Sequence, residues 1–147
     1  MTDRPARGPL VIDTDVYGAQ LVPGSTLAVR YEPIIVGRPA FISFQTAAEL
    51  RFGALRRHWG EHRMRQLEVR IAAAETVHSG PELIEVYARL RLDCERYGHA
   101  LSQRVHDADR SVAATAIRLG IPLVSNDGVF GDAPGLVLET ARAAPAT

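Results

Sequence analysis

Lysine is missing from this chain of 147 residues: all 17 basic side chains are arginine. Cysteine is nearly missing as well. Cys94 stands alone, which excludes an internal disulfide framework and a cysteine-built zinc site. No apolar run approaches the roughly 18–20 residues needed to cross a membrane. The opening stretch MTDRPARGPL has no signal-peptide core, so the cytoplasm is the expected compartment. Formal net charge is zero, so bulk electrostatics do not mark a nucleic-acid binder. Internal repeats and low-complexity blocks are absent. What is present is an ordinary apolar fraction, 46%, with 23% charged residues, which argues for a globular protein and against disorder. The length suits one compact domain, 1–147, with an ordered core over about 9–140 between short polar or Pro/Ala-rich tails.

Between the tails, short apolar stretches alternate with helical patterns. PLVID (9–13), AFISF (Ala40–Phe44) and IPLVS (Ile121–Ser125) read as buried strands. AETVH near residue 75 is a weaker one, and GLVLET near the C-terminus reads as an edge strand. Thr46 to about Trp59 carries Phe52, Leu55 and Trp59 at helical spacing. Pro81 to Tyr97 opens with proline in the first turn and has Leu83, Val86 and Leu90 on one face. Asp109 to Leu119 is rich in alanine and stops at Gly120, a C-terminal cap. This alternation predicts an α/β fold with a mainly parallel sheet. In such sheets ligands sit beyond the carboxyl ends of the strands. Arg51, Arg56, Arg57, Arg63, Arg65 and Arg70 crowd into one segment with His58 and His62. The cluster reads first as a solvated helix face and second as an RNA-facing surface, since guanidinium forks suit phosphate oxygens.

Acids recur where strands end. LVIDTDV stops at Asp13 and Asp15, and SNDGVF places Asp127 just past IPLVS. Each alone reads as a turn residue. Glu49 in TAAE reads alone as the acid of a capping box, reaching back to the backbone N–H of Thr46. Asp109 is different. It precedes Val112 by three and Ala116 by seven, so the helix is expected to carry its carboxylate on the apolar face. That is costly unless the group is paired or bound to a metal. Asp107 is the alternative cap for that helix, with Asp109 then in its first turn near the positive end of the dipole. If these acids converge, oxygen-only donors select Mg²⁺ or Mn²⁺ over zinc. Without a cation they repel one another, which raises some of their pKa values.

Three blocks together carry a family resemblance: LVIDTDV at 10–16, TAAELRFGA at 46–54 and ADRSVAATAIRLGIPLVSNDGVF at 108–130. They resemble the PIN domain, and more closely the VapC-type ribonuclease toxins of bacterial toxin–antitoxin pairs. The resemblance implies a three-layer α/β/α sandwich with acids gathered around Mg²⁺ or Mn²⁺ at the carboxyl edge of the sheet. By motif position the implied catalytic and metal-binding residues are Asp13, Glu49, Asp109 and Asp127, with Asp15 as a second-tier candidate. It further implies cleavage of single-stranded RNA, a homodimer, and a VapB-type antitoxin whose tail brings an Arg or Lys to the acids. Two positions depart from the pattern. Asp15 stands where the family often has a small hydroxyl residue, and Val129 where an acid often precedes the Phe. The middle, Trp59 to His106, matches only in general character, so no substrate contact is assigned there.

Other readings remain open at this point. LVIDTDV also resembles the opening motif of haloacid-dehalogenase-type phosphatases, with Asp13 as nucleophile and Asp15 as general acid. That chemistry normally uses a downstream lysine, and this chain has none. A second alternative is a PIN-like fold kept as an inert binding module. Cys94 has no evident base, no nucleophile elbow is present, and His58/His62 lack the glutamate of a metalloprotease helix.

Overall fold

A computed structural model describes residues 7–143; the expected tails lie largely outside the described residues. Five short strands form one sheet: β1 (Leu10–Ile12), β2 (Ala40–Ser43), β3 (Glu75–Val77), β4 (Leu123–Val124) and β5 (Leu138–Glu139). Their order is β3-β2-β1-β4-β5, and every pairing is parallel. The helices are α1 (Thr14–Ala19), α2 (Thr26–Ile35), α3 (Phe44–Arg56), α4 (Glu61–Ala72), α5 (Pro81–Tyr97) and α6 (Asp107–Leu119). Together they make the three-layer α/β/α sandwich.

The layers follow from alternation along the strands. On β1, Leu10 and Ile12 enter one core with Tyr17, Tyr31, Ala47 and Leu67, from α1 to α4. Val11 enters the other core with Leu83, Leu90 and Cys94 of α5 and Val112 and Ala116 of α6. β4 repeats the division, with Leu123 on the second side and Val124 on the first. Covered on both faces, a strand can be apolar throughout. Each fully buried Leu, Ile or Val contributes roughly 1.5–3 kcal/mol. The weak strand near 75 and the edge strand near the C-terminus are both present.

Several boundaries differ from expectation. Phe44 belongs to α3, not to the second strand, because Ser43 caps the helix by accepting from the Thr46 N–H at 3.0 Å. The helix therefore begins two residues early and ends at Arg56. Its inner face is also different: Thr46, Ala47 and Ala54 are buried, whereas Phe52 (63% exposed) and Leu55 (65%) face outward. Small residues on the inner face let α3 lie close to α1. A Cβ on Gly18 would stand 3.0 Å from Leu50 Cδ2. Helices α1, α2 and α4 carried no clear periodic signal. Gly120 does cap α6, in the left-handed conformation (φ 67°).

A candidate acid site at the carboxyl edge of the sheet

Asp13 leaves β1 as the N-cap of α1, and its position is fixed by short bonds. Its N–H donates to the Val124 carbonyl at 2.9 Å, which ties it to the end of β4. Its carboxylate accepts from the Thr14 N–H at 2.8 Å and from the Ser125 hydroxyl at 2.7 Å. The residue is only 6% exposed. Burial first, then the charge of Asp15, raise the Asp13 pKa to about 7, against hydrogen bonds from Ser125 and Thr14 that lower it; Asp109 adds a smaller push upward.

Asp15 sits in the first turn of α1 and reaches across to the loop after β4. It accepts from the Val16 N–H at 2.7 Å and from the Asn126 N–H at 3.1 Å. Burial raises its pKa as well, and the charge of Asp127 adds to that, while the backbone donors and a hydrogen bond with Asp13 act the other way. For the Asp13/Asp15 pair both acids are raised, with burial the first cause in each. Asp15 thus staples α1 to the SND loop.

Glu49 does not act as the capping acid, because Ser43 has taken the cap and moved the helix start. It points instead at α1, where it accepts from the Thr14 hydroxyl at 2.6 Å. Gln45 donates to its other oxygen at 3.2 Å. Thr14, Thr46 and Ser43 form a hydroxyl chain behind it, with 3.1 Å between Thr14 and Thr46 and 3.1 Å between Ser43 and Thr46. Asp127 caps the short 3₁₀ turn at 128–130 by accepting from the Val129 N–H at 3.0 Å, and its own N–H donates to Ser125 Oγ at 3.0 Å. One serine therefore serves both Asp13 and Asp127.

Asp109 is the largest departure. It lies in the first turn of α6 but is half-buried rather than packed in the apolar interface, and Oδ2 lies 2.9 Å from His106 Nδ1. Asp107 is not a cap. It is the first helical residue and pairs with Arg110, a guanidinium with no exposed surface. The arginine cluster also divides. Arg51 forms a forked ion pair with Glu68 (2.8 Å for each bond), Arg63 stacks on Trp59 at 3.9 Å, and Arg70 stacks half-buried on Tyr17 at 4.1 Å.

The acids therefore occupy one edge of the sheet and sense one another, Asp13 with Asp15 and Asp109, Asp15 with Asp127. Among the described residues, no three acid, histidine or cysteine side chains stand close enough together to hold a metal ion. Each outer acid is instead turned to a protein donor: Glu49 to Thr14, Asp109 to His106, Asp127 to Val129. The donor set, all carboxylate oxygen around a buried acid with a raised pKa, fits a hard divalent cation in its chemistry. Closing the site requires these side chains to exchange partners. Ser43, Thr14, Thr46, Ser125 and His106 were not singled out from sequence. The hydroxyls share one available signal, since each lies at or just past the carboxyl end of a strand.

An all-parallel α/β/α sandwich with carboxylates at the ends of its central strands is the class that fold and site define. The PIN domain family model matches residues 10–136, and the chain belongs to that family. PIN domains are generally nucleases and generally use divalent ions, which supports a hydrolase acting on nucleic acids. No curated protein sequence matches the chain closely. Solved structures do. The chain is similar to one from the Salmonella typhimurium VapBC complex bound to DNA, at 20% identity and TM-score 0.76, covering 92% of this chain and 100% of that one. It is similar to one from Rickettsia felis VapBC2 bound to a promoter DNA fragment, at 21% identity and TM-score 0.73, covering 90% and 98%. The Mycobacterium tuberculosis VapBC-5 structure matches at 27% identity and TM-score 0.63, covering 92% and 98%. Likeness at such identities speaks to the fold, and the family's VapC-type members are its structural neighbours.

Proposed function

We propose that this chain is the toxin of a type II toxin–antitoxin pair: a VapC-type endoribonuclease, dependent on Mg²⁺ or Mn²⁺, that cuts single-stranded RNA. The observation that carries the reading is Asp13, a nearly buried carboxylate with its pKa raised to about 7, placed beside Asp15 and within the field of Asp109. A protein holds such a group where a cation relieves the cost. Asp13 and Asp109 are the residues proposed to bind the metal directly, and Glu49 and Asp127 complete the site directly or through water. A bound divalent ion supplies an activated water and charge neutralisation at the phosphodiester. The protein's own part is positional. Ser125 orients Asp13 and Asp127 together, and Thr14 aims Glu49 from α3 toward α1. His106 lies 2.9 Å from the Asp109 carboxylate, which would have to leave it to bind the ion.

The inhibitor in this reading is a VapB-type antitoxin. A groove of about 520 Å³ opens beside the acids, lined by Phe44, Gln45, Leu83, Ile84 and Tyr87, and it suits the apolar anchors of a tail that folds on binding. A single PIN unit over 1–147, a homodimeric state and a cytoplasmic setting belong to the same proposal. Among the described residues no helix is long and apolar enough to cross a membrane. The phosphatase alternative loses its footing with the family assignment and the missing lysine. The inert-module alternative predicts no turnover with any ion. The test is incubation of total cellular RNA with Mg²⁺, Mn²⁺ or chelator, followed by mapping of new ends. Cleavage confined to the metal arms is expected, and no cleavage in any arm sinks the enzyme.

A further inference from the structure

Gly128 lies in the loop that carries Asp127, and its φ is not in the left-handed region. Nothing in its backbone calls for glycine. A Cβ there would stand 2.0 Å from Arg142 Nη1, 2.9 Å from Cζ and 3.2 Å from Nη2. The guanidinium of a residue fourteen positions later in the chain lies directly on the Asp127–Gly128 loop.

The backbone that carries this side chain is fixed in place. Tyr31, with no exposed surface, donates its hydroxyl toward the Ser125 carbonyl (3.1 Å) and Asn126 Oδ1 (2.9 Å), and accepts from the Ala141 N–H at 3.1 Å. The Arg142 N–H in turn donates to Thr140 Oγ1 at 3.1 Å, and that oxygen is itself 3.1 Å from the Tyr31 hydroxyl. One buried phenol therefore pins the segment after β5 to the loop after β4. The same loop supplies Ser125 to Asp13 and Asn126 to Asp15. Among the described residues Arg142 forms no salt bridge, although Asp127 is the next residue to the glycine it covers. Its guanidinium is exposed, positively charged and unneutralised at the rim of a site crowded with carboxylates.

We propose that Arg142 is a substrate-contacting residue that grips a phosphate of single-stranded RNA beside Asp127. The proposal rests on the nuclease reading for the identity of the substrate. A polyanion approaching this edge meets repulsion from its carboxylates, and a fork of N–H donors matched to phosphate oxygens offsets it next to the reacting centre.

The experiment measures binding of a short, fluorescein-labelled single-stranded RNA of mixed sequence by anisotropy, in chelator, so that no turnover is needed. The full-length wild type is compared with Arg142→Ala, Arg142→Lys, Gly128→Ala and the Gly128→Ala/Arg142→Ala double variant. Arg142→Ala is expected to weaken binding about tenfold at low salt and to flatten the slope of log K against log[salt] by about 0.7, the loss of one phosphate contact. Gly128→Ala should lose a similar amount, because its Cβ displaces the guanidinium. The double variant should be no weaker than Arg142→Ala alone, since both changes remove one contact. Arg142→Lys should keep the salt slope and lose part of the affinity. Thermal unfolding of Arg142→Ala should match the wild type. Absence of RNA binding by the wild type overturns the proposal. Unchanged affinity and slope in Arg142→Ala, or fully additive losses in the double variant, overturn it too. A wild type that binds RNA but never cleaves it with metal counts against the nuclease reading alone.

Discussion

Asp13 concentrates the chemistry of the site into one carboxyl group, and its ionisation is coupled to folding. The group titrates near the usual carboxylate range in the unfolded chain and at about 7 in the folded one. A raised folded pKa means that the stability Asp13 contributes is complete below its unfolded value and is lost as pH climbs through about 7. In chelator, the wild type should therefore lose stability between roughly pH 4 and pH 8, by on the order of a few kcal/mol. Asp13→Asn carries no titrating proton, so it should unfold at higher denaturant than wild type at the alkaline end and lose that advantage at the acid end. Equal denaturation midpoints at both ends would show that Asp13 is solvated and not the strained group described here. Sequence showed where Asp13, Glu49, Asp109 and Asp127 fall along the chain, and three of those positions had convincing bland explanations. What it did not show was the partner of each. Glu49 taken alone reads as a capping acid, because TAAE has the spacing of a capping box, and only its motif position marks it as a site residue; the true cap, Ser43, lies inside a stretch that reads as strand. Asp109 was expected against Val112 and Ala116, but His106, three residues earlier, draws it away.

Elements differ in how openly the chain declares them. α5 and α6 were readable because each buries a long apolar stripe and ends at a glycine in the left-handed region, Gly98 and Gly120. α4 buries only Leu67 and Ile71 in a strongly polar helix, too thin a stripe for periodicity to register. α2 has Pro33 in its last turn, where the missing N–H and the ring argue against a helix, and α1 is only six residues long with Gly18 inside. These helices place Tyr31 and Thr14, so the hydroxyls around the acids were hidden with them. Arg110 shows how an element junction can serve the site. From α6 it reaches the carbonyls of Leu101 and Gln103, the Tyr87 hydroxyl of α5 and Asp107, and so fixes the turns at 100–106 that carry His106. Arg110→Met keeps the stem but leaves those carbonyls unsatisfied, a cost of about 3 kcal/mol. The melting temperature should fall by on the order of 10 °C. A shift of about one degree would mean that the turns are held by other contacts.

For the whole molecule, the parallel sheet was the most legible feature, because strands covered on both sides by helices must be apolar and must be joined by crossovers. Assembly is less legible. Exposed Phe52, Leu55 and Ile84 are apolar surface left open by the described residues, but a sequence does not say what covers such residues. Co-expression with a neighbouring antitoxin reading frame should yield a complex that survives purification and suppresses RNA cleavage. Free toxin that purifies alone from such cells at full activity would contradict the toxin reading and leave the nuclease untouched. The central claim is that Asp13 and Asp109 make this edge of the sheet a metal-dependent ribonuclease, and cleavage by the paired variants tests it most directly. Wild type, Asp13→Asn and Asp109→Asn should be compared on the same single-stranded RNA with Mn²⁺ and with chelator, after each is shown to be folded by circular dichroism. The account predicts cleavage by wild type with Mn²⁺ only, and a loss of at least about a hundredfold in both folded variants. Cleavage at the wild-type rate by either folded variant, or equal cleavage in chelator, would contradict it.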